Sequence, residues 1–147
     1  MKTMYLLIIL CLSICMNGCS KSIKEMKLEN TPESVAFNFA KALYQGDLET
    51  AKKLERRPFD SPVKQITRKW KDWEICMHIL QKENQNMKLS VENVSKDSYG
   101  YNNSYVTLNI KNFVNINDWT RERGEGKVTL KVHKDSRDDQ WIVIDIM

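Results

Sequence analysis

Few side chains in this 147-residue chain could make or break covalent bonds: four cysteines, two histidines and scattered carboxylates and tyrosines. Cys11 and Cys15 stand inside an apolar run near the start, Cys19 stands just past its end behind Gly18, and Cys76 is alone downstream. A thiolate is a nucleophile and a metal ligand, so each position raises the question of an acceptor or an ion. The chain has no Cys-x-x-Cys pair, and two isolated histidines with one leftover thiol cannot close a zinc shell. Paired carboxylates, a Ser-His-Asp set and a Gly-rich phosphate loop are also missing from the pattern. No metal, no cofactor and no catalytic residue is therefore expected.

Cys19 is the exception, because its surroundings supply a reaction. Lys2 gives a positive start, and residues 4–16 (MYLLIILCLSICM) are almost unbroken apolar sequence. Such a run is ~20 Å long as a helix, short for ~30 Å of hydrocarbon, and suits the apolar region of an export signal. Met16-Asn17-Gly18-Cys19 then resembles the bacterial lipobox, although Met16 and Asn17 depart from its usual Leu and small residue. The resemblance implies that the Cys19 thiolate accepts a diacylglycerol and that a signal peptidase cuts between Gly18 and Cys19. Gly18 suits a peptidase pocket that admits only small side chains. A plain secretory signal, or a short membrane anchor, is the competing reading of the same run. With acyl chains contributing ~0.8 kcal/mol per buried methylene, lipidation would make the anchor in effect permanent.

The remaining composition fits one domain. At 41% hydrophobic and 29% charged residues the chain reads as globular, and five Gly and three Pro leave little room for long linkers. The formal charge of +4 is too mild for a dedicated nucleic-acid binder, and no nucleic-acid partner is expected. The densest basic stretch, residues 52–71, reads as the solvated face of a helix or, second, as a surface for anionic headgroups. Once residues 1–18 leave and Cys19 is acylated, Cys76 is the one free thiol. It reads as a small buried hydrophobe.

Residues 19–30 carry the lipidated Cys19 and a polar tether, and the folded domain spans residues 31–147. Thr31-Pro32 marks a helix start, with Val35, Phe39, Ala42 and Leu43 at helical spacing and Gly46 as the stop. Asp47 caps a short second helix bearing Leu48, Ala51 and Leu54. Ser61-Pro62 opens a third, predicted as one long helix with Val63, Ile66, Trp70, Trp73, Met77 and Leu80 inside a sector ~100° wide. Ile75 and Ile79 fall on its basic side and stay unexplained by the pattern. Beyond Asn86 the period becomes two, with strands around Leu89–Val91, Val106–Ile116, Val128–Val132 and residues 141–147. Strand four carries Ile142, Ile144 and Ile146 on one face and Trp141, Val143 and Asp145 on the other, which points to a central strand or a packed outer face. The fold class is α+β: about three N-terminal helices on a curved four-stranded antiparallel meander.

Residues 31–54 (TPESVAFNFAKALYQGDLETAKKL) resemble the opening helices of small bacterial lipoproteins with a lumazine-binding-like domain, of the nuclear-transport-factor-2-like, cystatin-like superfamily. Thr31-Pro32-Glu33, Phe39 and the Gly46-Asp47 hinge followed by Ala51 carry the likeness. Residues 134–145 (KDSRDDQWIVID) are similar to that family's closing hairpin. The resemblance implies a cone-shaped sheet wrapped around a helix, with a pocket that Trp70, Trp73 and Met77 would line. Superfamily members include enzymes, ligand binders and assembly modules, so the fold leaves function open.

Cone-fold enzymes need an Asp, His or Tyr with a shifted pKa in the pocket. Asp72, His78, Asp145, Tyr99, Tyr101 and Tyr105 are the candidates, and each is explained as well by exposure; His133 should face outward. The reading is a non-catalytic interaction module of the bacterial envelope, docking an envelope protein through the outer sheet face. The alternative is a binder of a small apolar ligand or peptide in the cone. A host with two membranes would hold the protein at the outer one, facing the periplasm, because Ser20 is not an aspartate.

Overall fold

The structure is a computed structural model that describes residues 27–55, 61–68, 72–99, 102–114 and 123–147. The first helix, α1 (Pro32–Tyr44), starts as its sequence requires. The Thr31 hydroxyl accepts from the Ser34 N–H at 3.2 Å, and Pro32 sits in the first turn, where its missing donor is not needed. It closes in a Schellman motif: the Asp47 N–H donates to the Ala42 carbonyl at 2.8 Å, and the Gly46 N–H donates to that of Leu43 at 3.1 Å. Gly46 takes φ 76°. A Cβ there would also lie 2.9 Å from the Met77 carbonyl oxygen and 3.0 Å from Gln81 Cγ, so no larger residue fits without movement.

Asp47 then caps α2 (Leu48–Lys53), accepting from the Thr50 N–H at 3.1 Å. The next helix, α3 (Pro62–Thr67), is held at its start by Ser61, whose hydroxyl accepts from the Lys64 N–H, and by Glu55, whose carboxylate accepts from the Val63 N–H and the Ser61 hydroxyl. The last is α4 (Trp73–Glu83). The single long third helix expected from the pattern is thus two helices. Its apolar spacing is real, since Val63 and Leu80 are buried, yet α3 stops at Thr67 and α4 starts after Asp72. The Thr67 hydroxyl turns back to the Lys64 carbonyl at 3.4 Å, a local competition that weakens helix continuation.

Four strands follow in a meander: β1 (Lys88–Lys96), β2 (Asn103–Val114), β3 (Arg123–Asp135) and β4 (Gln140–Ile146), paired antiparallel in the order β1-β2-β3-β4. Each pairing contains a bulge, at Glu92, Asn112 and Ile144. Extra residues of this kind bend a strand and increase its twist, which is how the sheet curves around α1. Val106, Leu108, Ile110, Leu130, Val132 and Val143 face inward at 0–1% exposure, covered by Phe39, Ala36 and Ala40 of α1 at 0%. The class is the one expected, α+β with helices first and a four-stranded antiparallel sheet after.

Strand four differs from its expected reading. It is an edge strand, and the bulge at Ile144 changes its parity: Val143 pairs with Val132 and faces in, while Asp145 pairs with Lys131 and faces out. Period-two reading fails wherever an extra residue is inserted. Residues 27–30, expected as the last part of the tether, instead lie against the domain. The Asn30 side chain donates to the Asp139 carbonyl at 2.7 Å and accepts from the Trp141 N–H at 3.0 Å. Residues 1–26, with Gly18 and Cys19, lie outside the described residues. Among the described residues no helix is long and apolar enough to cross a membrane.

Candidate functional site

The residues singled out by type are spread apart. Asp72 is exposed at the start of α4, His78 is exposed on its outer side, and Tyr99 is 84% exposed in the β1–β2 turn. His133 faces outward as expected, its Nδ1 at 2.8 Å from the Asn103 side-chain oxygen. Tyr105 and Asp145 do share a row on the outer sheet face, either side of Lys131, whose ammonium sits 5.5 Å from the Tyr105 ring centroid. Tyr101, Trp70 and the Trp73 side chain lie outside what the structure describes. Met77 is half-buried against the core. Cys76 is buried, and burial together with the nearby Asp72 charge pushes its thiol pKa up, which disfavours the nucleophilic thiolate. Among the described residues no cluster of three or more His, Cys, Asp or Glu could hold a metal.

The outer sheet face is largely engaged with itself. Thr107 and Thr129 hydroxyls meet at 3.0 Å, Lys111 pairs with Glu125 at 3.5 Å, and Lys127 pairs with Glu92. Among the concave surfaces of the described residues, one of about 410 Å³ lies between Glu29, Leu54 and Trp141 at the β4 edge, and two others border α4. The first of these two is a shallow hollow of about 560 Å³ on the outer side of α4, where Ile75 (61% exposed) and Ile79 are flanked by Glu74, His78, Lys82 and Glu83. These two isoleucines fall on the helix face turned away from the core, which is why they break the apolar stripe.

The second is a cleft of about 500 Å³ beside β1, lined from α1, α4, β1 and the turns that follow the two helices. Phe37, Lys41 and Gln45 form one stripe of α1 at spacing four; Gln81 and Gln85 follow the same spacing across the end of α4. Met87 and Leu89 point the same way at the start of β1, and Asp47 comes from the hinge. The floor is apolar and the rim is mostly amides. Those amides also hold the walls in place: Gln81 Nε2 donates to the Gly46 carbonyl at 3.2 Å, and Gln45 Nε2 donates to the Asn84 carbonyl at 3.3 Å. The Thr50 side chain and its N–H hold the Asp47 carboxyl below its usual pKa, so the rim carries one firm negative charge.

Behind the cleft lies Asn84, fully buried at the end of α4. Its amide donates to the Tyr44 carbonyl at 2.8 Å and the Val114 carbonyl at 3.3 Å, and its oxygen accepts from the Val114 N–H at 2.7 Å. One side chain thereby ties the ends of α1, α4 and β2 together. Beside it Tyr44 packs edge-on to Phe113 at 5.7 Å between ring centroids, and burial raises the Tyr44 pKa. Neither the cleft nor Asn84 was among the sequence candidates. The stripe Phe37-Lys41-Gln45 was a usable signal, since it flanks the core stripe of α1. Asn84 had none beyond its place after a helix.

No family model and no curated protein matches the chain. Solved structures do resemble it. A Campylobacter jejuni protein provisionally named an NTF2-like transpeptidase is 18% identical at a TM-score of 0.44, covering 77% of this chain and 96% of its own. An NTF-2 like protein of unknown function from Shewanella oneidensis MR-1 is 16% identical at a TM-score of 0.44, with 76% and 90% covered. The helical cell shape determining protein Pgp2 from Campylobacter jejuni is 16% identical at 0.46 over 78% of this chain, which spans 38% of Pgp2.

Proposed function

We propose that this chain is a non-catalytic interaction module of the bacterial cell envelope, held to a membrane by acyl chains on Cys19. In a host with two membranes that membrane is the outer one, and the domain faces the periplasm. The observation that carries the module reading is the packed inner face. The side chains of β2, β3 and β4 that would line a cone are covered by α1 at 0–1% exposure, so recognition falls to the surface. The apolar run of residues 4–16 ending in Gly18-Cys19 supports the anchor.

A second reading has one observation in its favour. The cleft floored by Phe37, Met87 and Leu89 exceeds the ~300 Å³ at which small-molecule pockets begin, so a small apolar ligand there is the alternative. Trp70, Trp73 and Met77 would belong to that reading if they bordered the same space.

Two measurements test these readings. Metabolic labelling of the full chain with a fatty-acid analogue should mark the wild type and leave Cys19→Ala unmarked, because no other thiol stands at the cleavage position behind Gly18. Label retained by the variant would sink the anchor. Native mass spectrometry of the mature protein is expected to give the bare polypeptide mass plus acyl groups. A small molecule co-purifying one to one would replace the module reading with the ligand reading.

A further inference from the structure

The outward edge of β1 has no backbone partner among the described residues: besides its ladder to β2, no backbone hydrogen bond involves Lys88–Lys96. Unpaired edges of this kind accept an additional strand. The inner-facing side chains of β1 are also incompletely covered. Leu89, Val91 and Val94 are half-buried, while their partners across the ladder, Ile110, Leu108 and Val106, are at 0–1% exposure. A strand laid beyond β1 would supply the missing cover, and the adjoining cleft would receive one of its alternate side chains over Phe37 and Met87.

Charge selects among occupants. Lys88 and Lys96 are exposed at the two ends of the strand, with no carboxylate within ion-pair distance among the described residues, whereas Glu92 is already engaged by Lys127. The ends of the edge strand therefore present positive charge, and Lys41 and Asp47 add one charge of each sign at the cleft. A second copy of β1 fits poorly: antiparallel pairing of the two full strands sets Lys88 opposite Lys96 and Glu92 opposite its own copy, both like-charge pairs. The bulge at Glu92 interrupts the edge, so the continuous stretch next to the cleft is Lys88–Val91.

We propose that this edge and its cleft bind a short extended peptide with alternating acidic and apolar residues, added to the sheet as a fifth strand. The proposal rests on the interaction-module reading and names the partner class. The probe is a fluorescein-labelled peptide, Glu-Val-Glu-Leu-Glu-Val, titrated against the full chain in detergent micelles, beside Lys-Val-Lys-Leu-Lys-Val and an acidic Glu-Gly repeat. Saturable binding of the first peptide alone is expected, with slowed amide exchange confined to Lys88–Lys96 and the cleft. Reversing both charges, Lys88→Glu with Lys96→Glu, should weaken binding about tenfold, and both sites are exposed, so the unfolding temperature should hold.

Absence of binding at millimolar peptide overturns the proposal. So does an unchanged Kd in the double variant, equal binding of the Glu-Gly repeat, or protection located on the outer sheet face. Protection of β1 that grows with protein concentration and no peptide would mean that a second copy pairs there instead, which also overturns it. These failures leave the module reading standing, since that reading falls only to a stoichiometric small molecule on the mature protein.

Discussion

The two edges of the sheet are finished differently. At β4 the Val143 N–H donates to the Leu54 carbonyl at 2.9 Å, Glu55 pairs in parallel with Val143, and the Asn30 side chain accepts from the Trp141 N–H at 3.0 Å. Val143 is fully buried as a result. At β1 nothing described lies beyond the strand, and its inward side chains stay half-exposed above the cleft. The sequence of β4 (QWIVIDI) is also the more apolar of the two, against KLSVENVSK for β1. Chain that returns across an edge closes it, and among the described residues Leu54 and Glu55 return across β4. The open side is fixed in another way, by the single buried amide of Asn84.

The largest effect should come from removing that amide. Asn84→Ala leaves the Val114 N–H and the Tyr44 and Val114 carbonyls without their partner in a buried site. Orphaned buried groups cost ~1–3 kcal/mol each, and some will find water, so a net loss of about 3 kcal/mol is expected. Urea unfolding measures it, and amide exchange should rise first at Val114. A loss under ~0.5 kcal/mol, as at ordinary surface sites, would mean that the open side is held by something else.

A matched pair of truncations sharpens the contrast between edges. Val143→Ala at the closed edge removes two buried methyl groups and should cost about 2 kcal/mol. Leu89→Ala at the open edge removes more carbon from a half-buried site and should cost about 1 kcal/mol. If Leu89→Ala proves the more costly in urea unfolding, β1 is covered in solution and the contrast fails.

The smallest effect belongs to the cleft rim. Asp47→Ala removes the α2 cap, at about 1 kcal/mol. Because folding lowers the Asp47 pKa from 3.8, the cap's contribution is complete above about pH 4 and is lost as pH falls through the lower folded value. The stability difference between wild type and variant should therefore vanish in that acid range. A difference that persists at pH 2 would point to packing instead of the carboxylate.

Local chemistry was legible wherever neighbours in sequence are neighbours in space. Thr31-Pro32 starts α1, Gly46 ends it with φ 76°, and Asp47 caps α2, because a cap or a left-handed turn involves residues within a few positions. Alternation likewise located four strands, and the inward rows of β2 and β3 follow it. The break between α3 and α4 was not legible, because an apolar stripe keeps its phase on either side of an interruption. The reversal of Asp145 was not legible either, since a bulge is set by pairing with β3 and leaves no mark in β4 alone. Asn84, the cleft and the unequal edges are further removed still. They join residues far apart in the chain, 30 to 40 positions at Asn84 and 111 between Asn30 and Trp141, and a polar side chain after a helix becomes a buried tie only once two other elements end beside it. Sequence determined which segments form helices and strands, through interactions of short range. The tertiary structure alone decided which edge stays open, because that depends on where distant chain happens to return.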